Sequence, residues 1–175
     1  MASSSISPPS FIILLLYTLL FALPSTSYPL QNICRQTKNR IFCFKLLRPH
    51  PNASLQELNQ IVIDTAILSV TKTASKIQSL LSKTEDPNLK IVYMLCSNYY
   101  SAALSALNAG KDKLKSGEYD DLNGAASTVS RDASSCQQIF TIVPSQPIPI
   151  ASDNNDLDLL SNVFAVVSRL LSGSI

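Results

Sequence analysis

The chain has 175 residues, 46% of them hydrophobic, and 14 Lys and Arg stand against 12 Asp and Glu for a formal net charge of +2. That balance excludes electrostatic capture of nucleic acid, since no basic run interleaved with aromatics accompanies it. Four glycines and no Trp argue against glycine-dependent sandwiches and nucleotide-binding α/β folds, while Ala, Ser, Leu and Lys in long proline-free stretches favour helices.

Residues 11–23 (FIILLLYTLLFAL) form an apolar run of about 13 residues, the length of a signal-peptide core and too short for a bilayer span of roughly 20. Small residues at Ser25 and Ser27 place the cut near Ser27–Tyr28. The division expected is therefore a signal peptide over 1–27 and one domain over 28–175, with a hairpin at 30–48 and a bundle at 54–172. No second apolar stretch reaches spanning length, so the mature product is expected outside the cell and free of the membrane.

Cys34 and Cys43 lie in the hairpin segment, which the prolines Pro49 and Pro51 end. Asn52-Ala53-Ser54 is an acceptor sequon for N-linked sugar beside these prolines. Ser54-Leu55-Gln56-Glu57 reads as a capping box that opens a long helix to about Lys83, with Leu55, Leu58, Ile61, Val62, Ala66, Val70, Ile77 and Leu81 at near-helical spacing. Asp86-Pro87 is a cap followed by a first-turn proline, starting a second helix from about Leu89 to Lys115. Val92, Leu95, Cys96, Tyr99, Ala103, Leu107 and Leu114 mark its predicted buried face, with Tyr99 inside and Tyr100 partly exposed. Gly117 ends it.

A third helix is predicted from Tyr119 or Asp120, where two carboxylates suit the positive end of the helix dipole. Leu122, Ala126, Val129, Ala133, Cys136 and Phe140 follow at spacings of three and four, and Gly124 is read as a site of close packing. Residues 143–150 (VPSQPIPI) cannot continue a helix and predict an extended linker. Ser152 or Asp153 is expected to cap a fourth helix with the stripe Leu157, Leu160, Phe164, Val167 and Leu171, which Gly173 stops. Four long amphipathic helices with short connections predict an all-α, antiparallel up-down four-helix bundle with an N-terminal helical hairpin.

Four cysteines behind a secretory leader read as two disulfides, and they permit three pairings. Antiparallel packing brings Cys96, early in helix two, to the same end as Cys136, late in helix three. The local pairing Cys34–Cys43 and Cys96–Cys136 is therefore favoured.

Catalytic chemistry is missing. The single histidine, His50, lies between two prolines with no partner motif, and no set of ligands for a metal or cofactor exists. Ser152-Asp153-Asn154 copies a penicillin-enzyme tripeptide without its companion motifs and reads as a helix cap. Asp120-Asp121 and Asp156-x-Asp158 read as partners of helix dipoles. A stapled helical protein without catalytic groups acts by binding, and Asn98, Lys111 and Tyr119 are the contact residues that expected exposure suggests.

The residues resemble one known family, the plant inhibitors of pectin methylesterase and of invertase. The resemblance runs from Ile33 to Leu171: Ile33-Cys34-x-x-Thr37 with Cys43; Asp86-Pro87-x-Leu89-Lys90; Tyr93, Cys96, Ser97 and Tyr99 onward to Ala103 and Leu107; and Leu114-Lys115-Ser116-Gly117-Glu118-Tyr119 with Leu122-Asn123 and Cys136. It implies a four-helix bundle with a helical hairpin and disulfides joined first-to-second and third-to-fourth. Invertase inhibitors of the family commonly carry Pro-Lys-Phe entering the third helix, where this chain has Tyr119-Asp120-Asp121. Asp in place of Lys reverses the charge offered to an acidic pocket. Ser116-Gly117-Glu118-Tyr119-x-x-Leu122-Asn123 instead looks like the corresponding run of the pectin methylesterase inhibitors, from which the chain departs at Gly124 and at residues 128–131. The resemblance implies a monomeric, secreted inhibitor of pectin methylesterase in the apoplast or cell wall, blocking the substrate cleft without a covalent step. Invertase inhibition is the alternative, and lipid carriage a third reading from another class.

Overall fold

The computed structural model describes residues 28–143 and 147–174; the expected signal peptide and its cleavage position lie outside them, as do residues 144–146 of the linker. Among the described residues six α-helices follow one another: α1 (Leu30–Cys34), α2 (Arg40–Leu47), α3 (Leu55–Lys83), α4 (Pro87–Ser116), α5 (Leu122–Ile139) and α6 (Ala151–Ser172). The last four form the bundle, packed in a ring in which α3 meets α4, α4 meets α5, α5 meets α6 and α6 closes on α3. The short pair α1 and α2 is the hairpin, joined by Cys34–Cys43.

Local chemistry sets the ends of these helices. At α3 the Ser54 Oγ accepts from the Glu57 amide at 3.2 Å and the Glu57 carboxylate accepts from the Ser54 amide at 2.7 Å, the reciprocal box expected. These bonds hold the Glu57 carboxyl below its ordinary pKa. Asp86 caps α4 through the Asn88 and Leu89 amides with Pro87 in the first turn, and Gly117 closes it at φ 79°, where a side chain would be strained.

Three expectations about helix ends and glycine packing change. A 3-10 turn, Tyr119–Asp121, precedes α5, so the α-helix proper begins at Leu122. Neither Ser152 nor Asp153 caps α6: the flanking residue is Ile150, fully buried, and Asp153 sits in the first turn, where it binds Lys76 Nζ at 2.7 Å. Burying Ile150 fixes the chain's entry into α6 more firmly than an exposed hydroxyl cap would. Gly124 is exposed and makes no close approach. The close approach is at Gly110 of α4, where an added Cβ would meet Phe164 Cζ at 3.2 Å and Ala125 Cβ at 3.3 Å.

The core runs the length of the bundle, and α6 supplies most to it, burying Leu157, Leu160, Val163, Phe164, Val166 and Val167. Buried Tyr100 and Asn154 are paired across helices. The Tyr100 hydroxyl donates to Asn154 Oδ1 at 2.8 Å, and Asn154 Nδ2 donates to Gln137 Oε1 at 3.0 Å, linking α4, α6 and α5. Tyr100 is thus the buried tyrosine, at 1% exposure, and Tyr99 is half-buried, the reverse of the expectation. Tyr100 continues the Cys96–Ala103–Leu107 line at i+4, and a buried tyrosine needs the acceptor that Asn154 provides. Burial pushes its hydroxyl pKa well up.

Candidate functional site: an uncharged helical face

Between Lys90 and Lys111 the sequence of α4 contains no charged residue. These 20 residues span about 30 Å of helix axis. One side is spent on the core through Val92, Cys96, Tyr100, Ala103 and Leu107. The opposite side is solvent-facing and carries Met94, Asn98, Ser101, Ala102, Ser105 and Ala109. Solvent-facing helix surfaces ordinarily carry Lys, Glu, Asp or Arg, so five turns without one are unusual in a soluble helix and match the charge-depleted centre of protein interfaces.

The neighbouring helix extends the face. The exposed residues of α5 are Asn123, Gly124, Ser127, Arg131, Ser134 and Gln138, and Arg131 is its one exposed charge. Most of the exposed side chains along both helices are short, and short side chains have little rotamer entropy to lose on docking.

Three contacts along the α4–α5 seam hold the face rigid. Cys96–Cys136 bonds the helices with Cα atoms 4.8 Å apart. Tyr93 and Phe140 meet edge-to-face at 5.9 Å at the same end. Gly110 lets Ala125 and Phe164 approach α4 at the other end. All four cysteines are paired as the sequence favoured. Chain entropy alone assigns about 4 kcal/mol to the long loop and about 2.6 kcal/mol to the short one.

Asp132 lies in the same seam. It shares the α4-facing side of α5 with Cys136, one turn later, and its side chain is 6% exposed. Arg131 Nε approaches Oδ1 at 3.5 Å, and Oδ2 has no hydrogen-bond partner. Burial raises its pKa against the lowering effect of Arg131.

Charge returns at the margins. Lys111 pairs with Asp64 of α3 at 2.6 Å, and Lys113 with Asp121 in the turn. The structure therefore separates the three predicted contact residues. Asn98 lies on the uncharged face. Lys111 is turned into the α3–α4 seam about 20 Å along the axis and is occupied by Asp64. Tyr119 is half-buried in the 3-10 turn. Sequence reasoning missed Ser101, Ala102, Ser105 and Ala109, although the signal, a charge-free stretch on an amphipathic helix, was there to read.

The remaining polar residues do structural work. Asp158 accepts from Lys38 Nζ at 3.1 Å and from Ser130 Oγ at 2.5 Å, clipping the hairpin and α5 to α6 instead of acting on the dipole. His50 is exposed. Among the described residues no group of three or more His, Cys, Asp or Glu is placed to hold a metal ion, and no helix is long and apolar enough to cross a membrane.

Comparison with known proteins places this geometry. Residues 29–166 match the family described as plant invertase/pectin methylesterase inhibitor. The chain is 34% identical to a pectinesterase inhibitor of Actinidia deliciosa, over 99% of this chain and 100% of the relative. It is 30% identical to pectinesterase inhibitor 2 of Arabidopsis thaliana, over 79% of this chain and 82% of the relative. A cell wall / vacuolar inhibitor of fructosidase 2 from Arabidopsis thaliana is 28% identical over 93% of this chain and 96% of its own length. A crystal structure of a mutant form of a pectin methylesterase inhibitor from Arabidopsis superposes with a TM-score of 0.75 at 27% identity, covering 82% of this chain and 97% of that one. The helical bundle, its hairpin and its two staples are thus a family architecture, and the chain belongs to the plant invertase/pectin methylesterase inhibitor family.

Proposed function

We propose that this protein inhibits pectin methylesterase by laying the uncharged side of α4 and the adjoining side of α5 over the enzyme's substrate cleft and excluding the polymer, with no covalent step. The observation that carries the reading is the charge-free outer side of α4 over residues 91–110. A polymer cleft is long and open, and a stapled two-helix surface fits such a groove without burying unpaired charge. The names of the full-length relatives, pectinesterase inhibitors, support the same target.

Invertase inhibition is the second reading, and the fructosidase inhibitor among the relatives favours it. Against it stands the turn into α5, where Asp120 and Asp121 present carboxylates. The lipid-carrier reading finds no support among the relatives.

The protein acts as a monomer in the cell wall after loss of residues 1–27, and Asn52, exposed in a turn, carries an N-linked glycan. The deciding experiment mixes purified mature chain with a plant pectin methylesterase and, separately, with an acid invertase. Methanol release falls to background at saturating inhibitor, while sucrose hydrolysis is unchanged. Full methanol release at saturation overturns the reading.

A further inference from the structure

Charge is distributed unevenly along the chain. The first carboxylate is Glu57; before it come five cations, Arg35, Lys38, Arg40, Lys45 and Arg48. The remaining nine cations share the rest of the chain with all twelve carboxylates, a balance of −3. The small net charge of the whole protein therefore conceals a basic hairpin on a mildly acidic bundle.

All five hairpin cations are exposed. Cys43 and Leu47 turn α2 inward, both fully buried. Lys45 and Arg48 flank Ile41, which is 83% exposed, on the outward side by helical spacing, and Arg40 is exposed at the first position of the helix. Lys38 is engaged by Asp158, but Arg35, Arg40, Lys45 and Arg48 make no ion pair among the described residues. Asp156 is the carboxylate that lines the groove beside Lys45 at the inner edge of α2. This groove lies between α2, α3 and α6, across the bundle from the α4–α5 face.

We propose that the outward side of the hairpin binds a polycarboxylate polysaccharide, a chain of uronic acid rings such as demethylated pectin. Naming the polymer rests on the functional reading above: hydrolysis of each methyl ester leaves one carboxylate on the polymer, so an inhibitor of that enzyme works beside a polyanion. Arg40, Lys45 and Arg48, all exposed, spread over about 12 Å of axis, a span that several successive rings of one strand cover. Exposed Ile41 offers an apolar contact to the carbon-bearing face of a ring. A single exposed aliphatic on an eight-residue helix is too little apolar surface to seat in a lipid bilayer. The arrangement leaves the docking face free, so polymer and enzyme can be held at once.

The mature chain is passed at low ionic strength over immobilised polygalacturonate and over highly methyl-esterified pectin, and is sedimented with phosphatidylserine vesicles. Retention on polygalacturonate that salt releases is expected, with passage through the esterified polymer and no vesicle binding. The variant Arg40→Glu/Lys45→Glu/Arg48→Glu loses about tenfold or more in affinity, while Lys72→Glu/Lys83→Glu/Lys90→Glu, identical in net charge, loses much less. If the first variant does not fold, Arg40→Gln/Lys45→Gln/Arg48→Gln takes its place. Equal loss in both sets, equal binding to the esterified polymer, or preference for vesicles overturns the proposal. Inhibition of pectin methylesterase is measured on every protein. Polymer binding without inhibition removes the functional reading and leaves the patch, whereas inhibition without polymer binding does the opposite.

Discussion

Two sides of one bundle are held together by different means. Around α3 and α6, salt bridges and hydrogen bonds clip neighbours across the surface: Lys76 to Asp153, Lys38 to Asp158, Lys111 to Asp64. Along the outer side of α4 and α5 no such clip occurs from Asn98 to Ala109, and the helices are joined beneath the surface by a disulfide, an aromatic pair and a glycine contact. Exposed ion pairs contribute about 0–1 kcal/mol each and cover the surface with solvated charge. A buried staple stabilises more and leaves the surface bare. The contrast shows how a helical face can be kept both rigid and available.

The comparison breaks most visibly if the staple is removed. Cys96→Ser/Cys136→Ser is expected to lose about 4 kcal/mol of stability in a guanidinium melt, against about 2.6 kcal/mol for Cys34→Ser/Cys43→Ser. Equal losses would mean that the seam does not depend on its disulfide more than the hairpin does. The next test leaves the scaffold alone and charges the bare side. Ser105, exposed at the middle of α4, becomes Glu or Lys. Stability stays within about 0.5 kcal/mol, while the inhibition constant against pectin methylesterase rises about 100-fold for either sign, since an unpaired charge is desolvated on docking. A change of sign, with one variant tighter, would point to a charged contact instead of an uncharged face.

Asp132 sharpens the comparison from inside the seam. Its folded-state pKa is raised, so the folded chain holds the proton more tightly than the unfolded one. The stability linked to that proton is fully present below the ordinary carboxylate pKa of about 3.9 and is lost as pH rises through the folded value. Asp132→Asn is expected to be more stable than the parent by about 1 kcal/mol at neutral pH, with the gap closing in acid, measured by denaturant melts across pH. A constant gap would remove the titration argument.

Sequence reading reached the helices, the caps of α3 and α4 and the disulfides because each is written in local signals: a serine three residues before a glutamate, an Asp-Pro pair, a glycine after the last periodic position. It stumbled where two helices decide together. Tyr99 and Tyr100 differ by 100° of rotation, and both spacings from Cys96 are helical; only the position of Asn154, 54 residues on, selects Tyr100. Lys111 looked like a free anchor because its partner, Asp64, is 47 residues away. Asp132 carries no signal in the sequence that sets it apart from a surface acid, yet the turn of α5 carries it into the seam. The bare side of α4 is the opposite case, since it could be seen from sequence as a run without charge.

The two glycines inside the helices α4 and α5 give the finest test. Gly124 and Gly110 look alike in sequence, each inside a helical stretch, and helix propensity alone favours replacing both with Ala. Their surroundings differ. An Ala Cβ at Gly124 meets nothing within 4 Å, so Gly124→Ala is expected to raise stability by about 0.5 kcal/mol through the unfolded chain alone. At Gly110 the new methyl stands 3.2 Å from Phe164, itself fully buried and unable to withdraw, and 3.3 Å from Ala125. The steric cost there offsets the propensity gain, so Gly110→Ala is expected to lose about 1 kcal/mol and to raise the inhibition constant by separating α4 from α5. Thermal melts of the two variants beside the parent read the difference directly. If both glycines tolerate Ala equally, the α4–α5 contact is looser than the packing at Phe164 indicates, and the rigidity of the bare face rests on the disulfide and the aromatic pair.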